Sequence, residues 1–214
     1  QGTLHVARSM QRHAPQGRLL FASTAEAYGS TFQRGTPVAE DAALAPGNTY
    51  AATKAAADLA LGAMAKEGLN VIRMRPFNHT GPNQSADFVV PAFALQIARI
   101  AKGLQAPEIR VGNLEAQRDF LDVRDVCDAY LDALMPDNTL ERGTILNLCS
   151  GQTRSIRSIL DDLIALSGIK ADILTDTNRL RPSDTPVARG DGALARPLHS
   201  WAPRLPWGQT LRDI

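Results

Sequence analysis

Apolar residues in the first dozen positions fall at Leu4, Val6, Ala7 and Met10, a spacing that predicts a helix. The pattern then changes to a short unbroken apolar run, "RLLFAST" (18–24), which ends in small polar residues as a strand buried on both faces would. A stretch rich in Gly, Pro and Thr follows from Gly29 to Gly47 and reads as a loop. The alanine-rich "NTYAATKAAADLA" (48–60) opens a second helix, for which Gly68 is the candidate C-cap. "NVIRMRP" (70–76) is the next strand, "FNHTGPNQSADF" a loop, and "VVPAFALQIARIAKG" a helix stopped at Gly103. "IRVGN" and "RDFLD" read as short strands, "DVRDVCDAYLDALM" as an amphipathic helix, and "TILNLCSG" as another buried strand. "SIRSILDDLIALSG" is a helix with Ser155 as its cap. From Asp176 onward the chain is rich in Pro, Arg and Gly and reads as loops with short helices.

Strands that alternate with helices predict an α/β fold built on a parallel sheet. In such sheets ligands sit beyond the carboxyl ends of the strands. Polar residues collect at those ends here: Ser23 and Thr24 after one strand, Asn78 and His79 after the next, Ser150 after a third. That edge is the candidate site.

Composition narrows the class. Of 214 residues, 44% are hydrophobic and 21% charged, which suits a core-forming soluble chain. The net charge of +1 argues against a nucleic-acid partner, although clustered arginines could hold a small anion. No apolar run approaches the roughly 20 residues of a membrane span. Cys127 and Cys149 lack metal-type spacing, so neither a metal nor a disulfide is expected, and a reducing, cytoplasmic setting is.

Tyr50 and Lys54 stand four residues apart, on one face of the predicted helix. A free phenol, with a pKa of about 10, is a poor acid–base group at neutral pH. An ammonium one turn away favours the phenolate, and the tyrosine can then exchange a proton with a carbonyl or alkoxide oxygen. Thr24 could hold the same oxygen. The same spacing also arises as an ordinary solvated pair, so the flanking sequence has to decide.

The order "STAEAYG", "YAATK", "RPFNHTGP" is similar to the extended short-chain dehydrogenase/reductase superfamily, the NAD-dependent epimerase/dehydratases. "RPFNHTGPNQSADFVVPAFALQIARI", "VGNLEAQRDFLDVRDV" and "NRLRPSDTPVARGD" resemble its GDP-6-deoxy-D-mannose reductase family, and together these pieces cover most of the chain.

The resemblance implies a Rossmann-like parallel sheet with helices on both faces, plus a small C-terminal substrate-binding lobe. Residues 1–150 would be the later part of the NAD(P)-binding domain, interleaved with lobe segments at about 82–122, and 151–214 mainly lobe. It implies NAD(P)H-dependent reduction of the C4 ketone of GDP-4-dehydro-6-deoxy-D-mannose to GDP-D-rhamnose, with NADP(H) placed ahead of NAD(H). A GDP-mannose 4,6-dehydratase or another nucleotide-sugar epimerase/dehydratase is the alternative, and a non-catalytic fragment the second.

By the same resemblance Tyr50 is the catalytic acid, Lys54 its tuning partner and a ribose contact, and Thr24 the hydroxyl on the substrate carbonyl. Thr24 could instead be only a strand-end cap. Glu26 matches a dehydratase position and is a further catalytic candidate. Ser23 and His79 are candidate cofactor contacts. Ala25, Asn78, Arg118, Arg181, Pro182, Ser183 and Asp184 are candidate substrate contacts, the two arginines on the pyrophosphate. The loop after His79 reads "TGPNQ", where the dehydratases carry Glu and paired Arg, and this favours the reductase.

The chain departs from the superfamily in lacking a GxGxxG or GxxGxxG loop, and it begins without Met. The expectation is a chain without its natural beginning and without most of the cofactor cradle. Ala51, Ala52, Ala55, Ala56, Ala57, Ala60 and Ala63 permit close helix approach, and the resemblance implies a homodimer there; an internal helix is the other reading.

Overall fold

The structure, a computed structural model, describes residues 1–179, 185–196 and 201–214. Its elements run α1 (Gly2–His13), β1 (Leu19–Ala22), a 3-10 segment (Ala25–Arg34), α2 (Thr49–Lys66), β2 (Val71–Pro76), β3 (Asn78–Thr80) and α3 (Val89–Ala101). There follow β4 (Glu108–Val111), β5 (Gln117–Asp122), α4 (Val123–Leu134), β6 (Ile145–Leu148), β7 (Thr153–Ser155) and α5 (Ile156–Ser167). The described chain closes with β8 (Asp172–Thr175), a short 3-10 turn (Thr177–Arg179), β9 (Val187–Ala188) and α6 (Trp207–Asp213).

β1, β2 and β6 form a parallel sheet in that order, with Leu20 beside Ile72 and Met74 beside Leu146. Alternation along β2 sorts its side chains. Val71 packs toward α1 and α2, in a cluster with Ala7, Leu61 and Ala65. Ile72 and Met74 face the opposite side, in a cluster with Val126, Ala129 and Ala133 of α4. The architecture is therefore α/β, a Rossmann-like parallel sheet with helices on both faces.

Local chemistry sets the helix starts. Asn48 accepts from Ala51 N at 2.8 Å to begin α2, Asp122 accepts from Arg124 N at 2.8 Å to begin α4, and Ser155 caps α5 through Ser158 N. α2 ends with Glu67 as its cap, and Gly68, the residue expected there, follows at φ 105°.

A second body of packing joins α3, α5 and α6 to β4, β5 and β8, around Phe93, Ile109, Phe120, Ile159 and Leu160. β4 and β8 pair in parallel; β5 lies between β3 and β7 and also pairs with β9. β3, β7 and β9 are two or three residues long, too short to leave an alternating pattern, and β3 lies inside the stretch expected to be loop. The stretch before Gly35 is likewise not open loop but the 3-10 segment. It is kinked at Gly29, where a Cβ would lie 1.9 Å from the Ala45 carbonyl oxygen.

Candidate active site

Two capped segment starts meet at the carboxyl end of β1. The Thr24 hydroxyl accepts from Glu26 N at 3.2 Å and opens the 3-10 segment. Asn48 opens α2 and donates from Nδ2 to Glu26 Oε2 at 3.4 Å. Tyr50 therefore falls in the first turn of α2, with 54% of its surface exposed. One turn on, Lys54 Nζ donates to the Ala22 carbonyl at 2.7 Å and lies over the Phe21 ring. An ammonium has three donors, so that bond fixes the amine and leaves donor capacity for a hydroxyl. Thr24, Glu26, Tyr50 and Lys54 are thus brought to one end of the sheet.

Asn78 begins β3 beside Phe120 and is exposed. His79 places Nδ1 2.9 Å from the Phe77 carbonyl; a carbonyl only accepts, so Nδ1 carries a proton. Ser23 is buried, hydroxyl included, and Ala25 is buried beside it. Ser150 is bound to Asp119, donating from its hydroxyl at 2.6 Å and from its amide at 2.8 Å.

Arg118 lies two residues before Phe120 on β5, and its Nη1 donates to the carbonyls of Thr185 at 2.7 Å and Gln117 at 2.9 Å. Arg181, Pro182, Ser183 and Asp184 lie outside the described residues. The chain leading to them passes close to the "VGN" turn: a Cβ on Gly112 would lie 2.5 Å from the Arg179 carbonyl oxygen.

Beneath Tyr50 and Lys54 lies a polar cluster absent from the sequence reading. Asp58, fully buried on α2, binds Arg73 Nη1 at 3.1 Å and Arg75 Nη2 at 2.9 Å through Oδ1, and Arg75 Nε at 3.0 Å through Oδ2. Arg75 Nη1 donates to the Tyr28 hydroxyl and the Glu40 carbonyl, each at 2.9 Å. Tyr28 donates to Asn147 Oδ1 at 2.8 Å, and Asn147 N donates to Glu40 Oε1 at 2.7 Å.

Burial alone would raise the Asp58 carboxyl, but the hydrogen bonds and charge of Arg75 outweigh it and hold the group below its usual range. Burial pushes the Tyr28 phenol up to about 12 and raises Glu40. A signal was present: Arg73 and Arg75 stand at alternate positions of an otherwise apolar strand, and Asp58 lies four residues beyond Lys54.

The residues present fit the nicotinamide-ribose end of a dinucleotide, through the donor capacity of Lys54 beside an exposed Tyr50. No comparable fit exists for a pyrophosphate at the chain's one Gly-x-Gly, Gly190 and Gly192. A Cβ on Gly190 would strike Cys149 Sγ at 2.6 Å and Phe77 Cζ at 2.7 Å, so that glycine serves close packing.

The family model described as GDP-mannose 4,6 dehydratase matches residues 1–214. The chain belongs to this family. Within the GDP-mannose 4,6 dehydratase family it is similar to the GDP-6-deoxy-D-mannose reductase of Pseudomonas aeruginosa, 36% identical over 214 residues, 100% of this chain and 69% of that protein. A dTDP-glucose 4,6-dehydratase of an Actinoplanes species is 39% identical over 119 residues, 55% of this chain and 35% of its own. Among solved structures, that of RMD from Pseudomonas aeruginosa complexed with NADPH superposes with a TM-score of 0.90 at 35% identity, covering 99% of this chain and 70% of that one. The dTDP-glucose 4,6-dehydratase of Bacillus anthracis in complex with NAD has a TM-score of 0.85 at 24% identity, a likeness of fold alone.

Proposed function

We propose that this chain carries the proton-transfer and substrate-binding part of an NAD(P)H-dependent reductase, one that converts the C4 ketone of GDP-4-dehydro-6-deoxy-D-mannose to the alcohol of GDP-D-rhamnose. The observation that carries this reading is the meeting of Tyr50, Lys54 and Thr24 at the carboxyl end of β1, where Lys54 is anchored on the Ala22 carbonyl. The likeness to the Pseudomonas reductase supports it.

In this reading the Tyr50 hydroxyl gives its proton to the C4 oxygen, and its exposure lets solvent return that proton. Lys54 holds a ribose hydroxyl with its remaining donors and keeps positive charge beside the phenol. Thr24 bonds the carbonyl being reduced. A reduced nicotinamide, when bound, supplies the hydride to C4. NADP(H) is placed ahead of NAD(H), since the solved relative at 35% identity is a complex with NADPH.

Asn78 and Arg118 contact the nucleotide sugar, and Arg181, Pro182, Ser183 and Asp184 are assigned there by resemblance. Residues 1–150 belong mainly to the cofactor domain and 151–214 to the substrate lobe. A cytoplasmic homodimer is part of the same reading, with Val6 of α1 and Leu59 of α2 as exposed apolar residues on the helices that would pair.

One observation favours a second reading. Glu26 is exposed and hydrogen-bonded to Asn48, beside Tyr50, where a dehydratase would use a carboxylate to remove a C5 proton.

The test is NADPH absorbance on addition of GDP-4-dehydro-6-deoxy-D-mannose, with the chain alone and with the full polypeptide its gene encodes. Loss of absorbance is expected with the gene product. Turnover of GDP-mannose without net NADPH loss would replace the reductase by the dehydratase. Silence on both substrates would leave a binding module.

A further inference from the structure

Tyr50, Lys54, Asp58 and Gly62 stand at four-residue intervals on α2 and form one stripe along it. Its upper members lie toward the open end of the sheet, and Asp58 is sealed inside. One turn beyond it, a Cβ on Gly62 would lie 2.5 Å from Arg73 Nη1, so the glycine makes room for the guanidinium. Both Asp58 carboxylate oxygens are held, and Arg75 grips them as a two-pronged fork. The cluster then reaches outward: Arg75 binds Tyr28 of the 3-10 segment that Thr24 opens, and Tyr28 binds Asn147 of β6. One carboxylate is therefore tied to the helix of Tyr50 and Lys54, to two strand residues, and through Tyr28 to the segment of Thr24.

We propose that Asp58 is the positioning residue of this site: gripped by Arg73 and Arg75, it fixes the roll and height of α2 on β2, so that Lys54 Nζ is delivered to the Ala22 carbonyl. A fork with two parallel bonds sets direction as well as distance. An apolar contact at the same place would hold the helix down but leave it free to roll by a fraction of a turn, because hydrophobic burial has no direction. Each four-residue step is about 400° of rotation, little more than one turn, so the rigid helix carries the setting made at Asp58 to Lys54 and on to Tyr50.

This inference rests on the reading of Tyr50 and Lys54 as the reactive pair, but its test needs no turnover. The chain has four lysines, and Lys66, Lys102 and Lys170 are exposed while Lys54 is half-buried. Amine acylation by an N-hydroxysuccinimide ester, followed by peptide mass spectrometry, gives the Lys54 rate relative to those three. Cys149, buried, and Cys127, exposed, report through a thiol reagent whether the fold is kept.

In Asp58→Asn the relative Lys54 rate is expected to rise about tenfold, the factor that corresponds to losing about 1.4 kcal/mol of a hydrogen bond to a charged group, while Cys149 stays protected. Should Asp58→Asn expose Cys149, the variant Asp58→Leu/Arg73→Met/Arg75→Met replaces the whole cluster by apolar volume, a change that buried ion clusters often tolerate. The same rise is expected there. An unchanged Lys54 rate in either folded variant overturns the proposal. Exposure of Cys149 in both also overturns it, since the cluster would then hold the fold rather than place the lysine. In the full gene product, kcat should fall with KM for the nucleotide sugar unchanged. A gene product without activity whose Lys54 labelling still rises would remove the proposed reaction and leave the positioning role standing.

Discussion

Lys54 Nζ donates a 2.7 Å hydrogen bond to the carbonyl of Ala22, and so joins the second turn of α2 to the last residue of β1. A strand's final carbonyl is a fixed acceptor, because the sheet holds its peptide plane. An amine seated on it gains a defined place without being neutralised, since the partner carries no formal charge. The phenol one turn earlier thus shares its helix face with a cation whose position is set by the sheet.

That arrangement makes a prediction about Tyr50→Phe and Lys54→Met. Removing the phenolic hydroxyl removes the proposed acid, which is expected to lower reduction by about 10²–10⁴-fold. GDP-sugar affinity, measured by calorimetry, should stay unchanged, because the arginines proposed for the pyrophosphate are left in place. Lys54→Met should also lower the rate but raise KM for the dinucleotide, from the lost ribose contact. Full turnover by Tyr50→Phe would remove the residue from its assigned role.

The Asp58 cluster carries a pH signature. The Asp58 carboxyl is held below its usual range, first against the cost of burial and then by the bonds and charge of Arg75. A group whose folded pKa is lowered stabilises fully above its unfolded value of about 3.9, and loses that contribution as pH falls through the lower folded value. Urea unfolding of the chain and of Asp58→Asn should therefore differ by about 3–5 kcal/mol above pH 4, the cost of breaking a buried ion pair from one side. The difference should shrink as pH falls further below that. A difference that grows on acidification would contradict the assignment.

Much of this was legible in the residues. Long periodic segments announced α1, α2, α3, α4 and α5, and the unbroken apolar runs announced β1, β2 and β6. The polar residues after those strands did mark one edge, although Ser150 is bound to Asp119. β3, β7 and β9 were hidden because two or three residues carry no period, and their partner β5 lies far from them along the chain: β3 and β9 both pair with it. The buried cluster was hidden for a related reason. Asp58, Arg73 and Arg75 are each ordinary surface residue types, and only the packing of α2 on β2 turns them inward together.

Two glycines, Gly29 inside the 3-10 segment and Gly35 capping its end, should separate clash from conformation. Gly29 sits at φ 48°, and a Cβ there would lie 1.9 Å from the Ala45 carbonyl oxygen. Gly35 sits at φ 75° with nothing within 4 Å of where a Cβ would be. Gly35→Ala meets only the left-handed backbone penalty, about 1 kcal/mol. Gly29→Ala meets a backbone atom as well and is expected to cost about 3 kcal/mol or more. Thermal unfolding of the two variants decides this, and equal losses would mean that the Gly29–Ala45 approach relaxes freely.

Tyr28 is, with Glu40, one of the joints through which the ion cluster reaches Asn147 of β6, and its removal tests that connection at alkaline pH. Its hydroxyl accepts from Arg75 and donates to Asn147, so Tyr28→Phe leaves Asn147 Oδ1 buried without that donor. The expected cost is about 1–3 kcal/mol at neutral pH. Burial, against the lowering charge of Arg75, pushes the phenol up to about 12. A group with a raised folded pKa stabilises fully below its unfolded value, here about 10, and loses that contribution as pH climbs through the folded one. The stability difference between the chain and Tyr28→Phe should therefore stay flat up to pH 10 and narrow above it. A difference that stays flat above pH 10 would mean that the hydroxyl is not sealed against the cluster, and that Asn147 is held by other means.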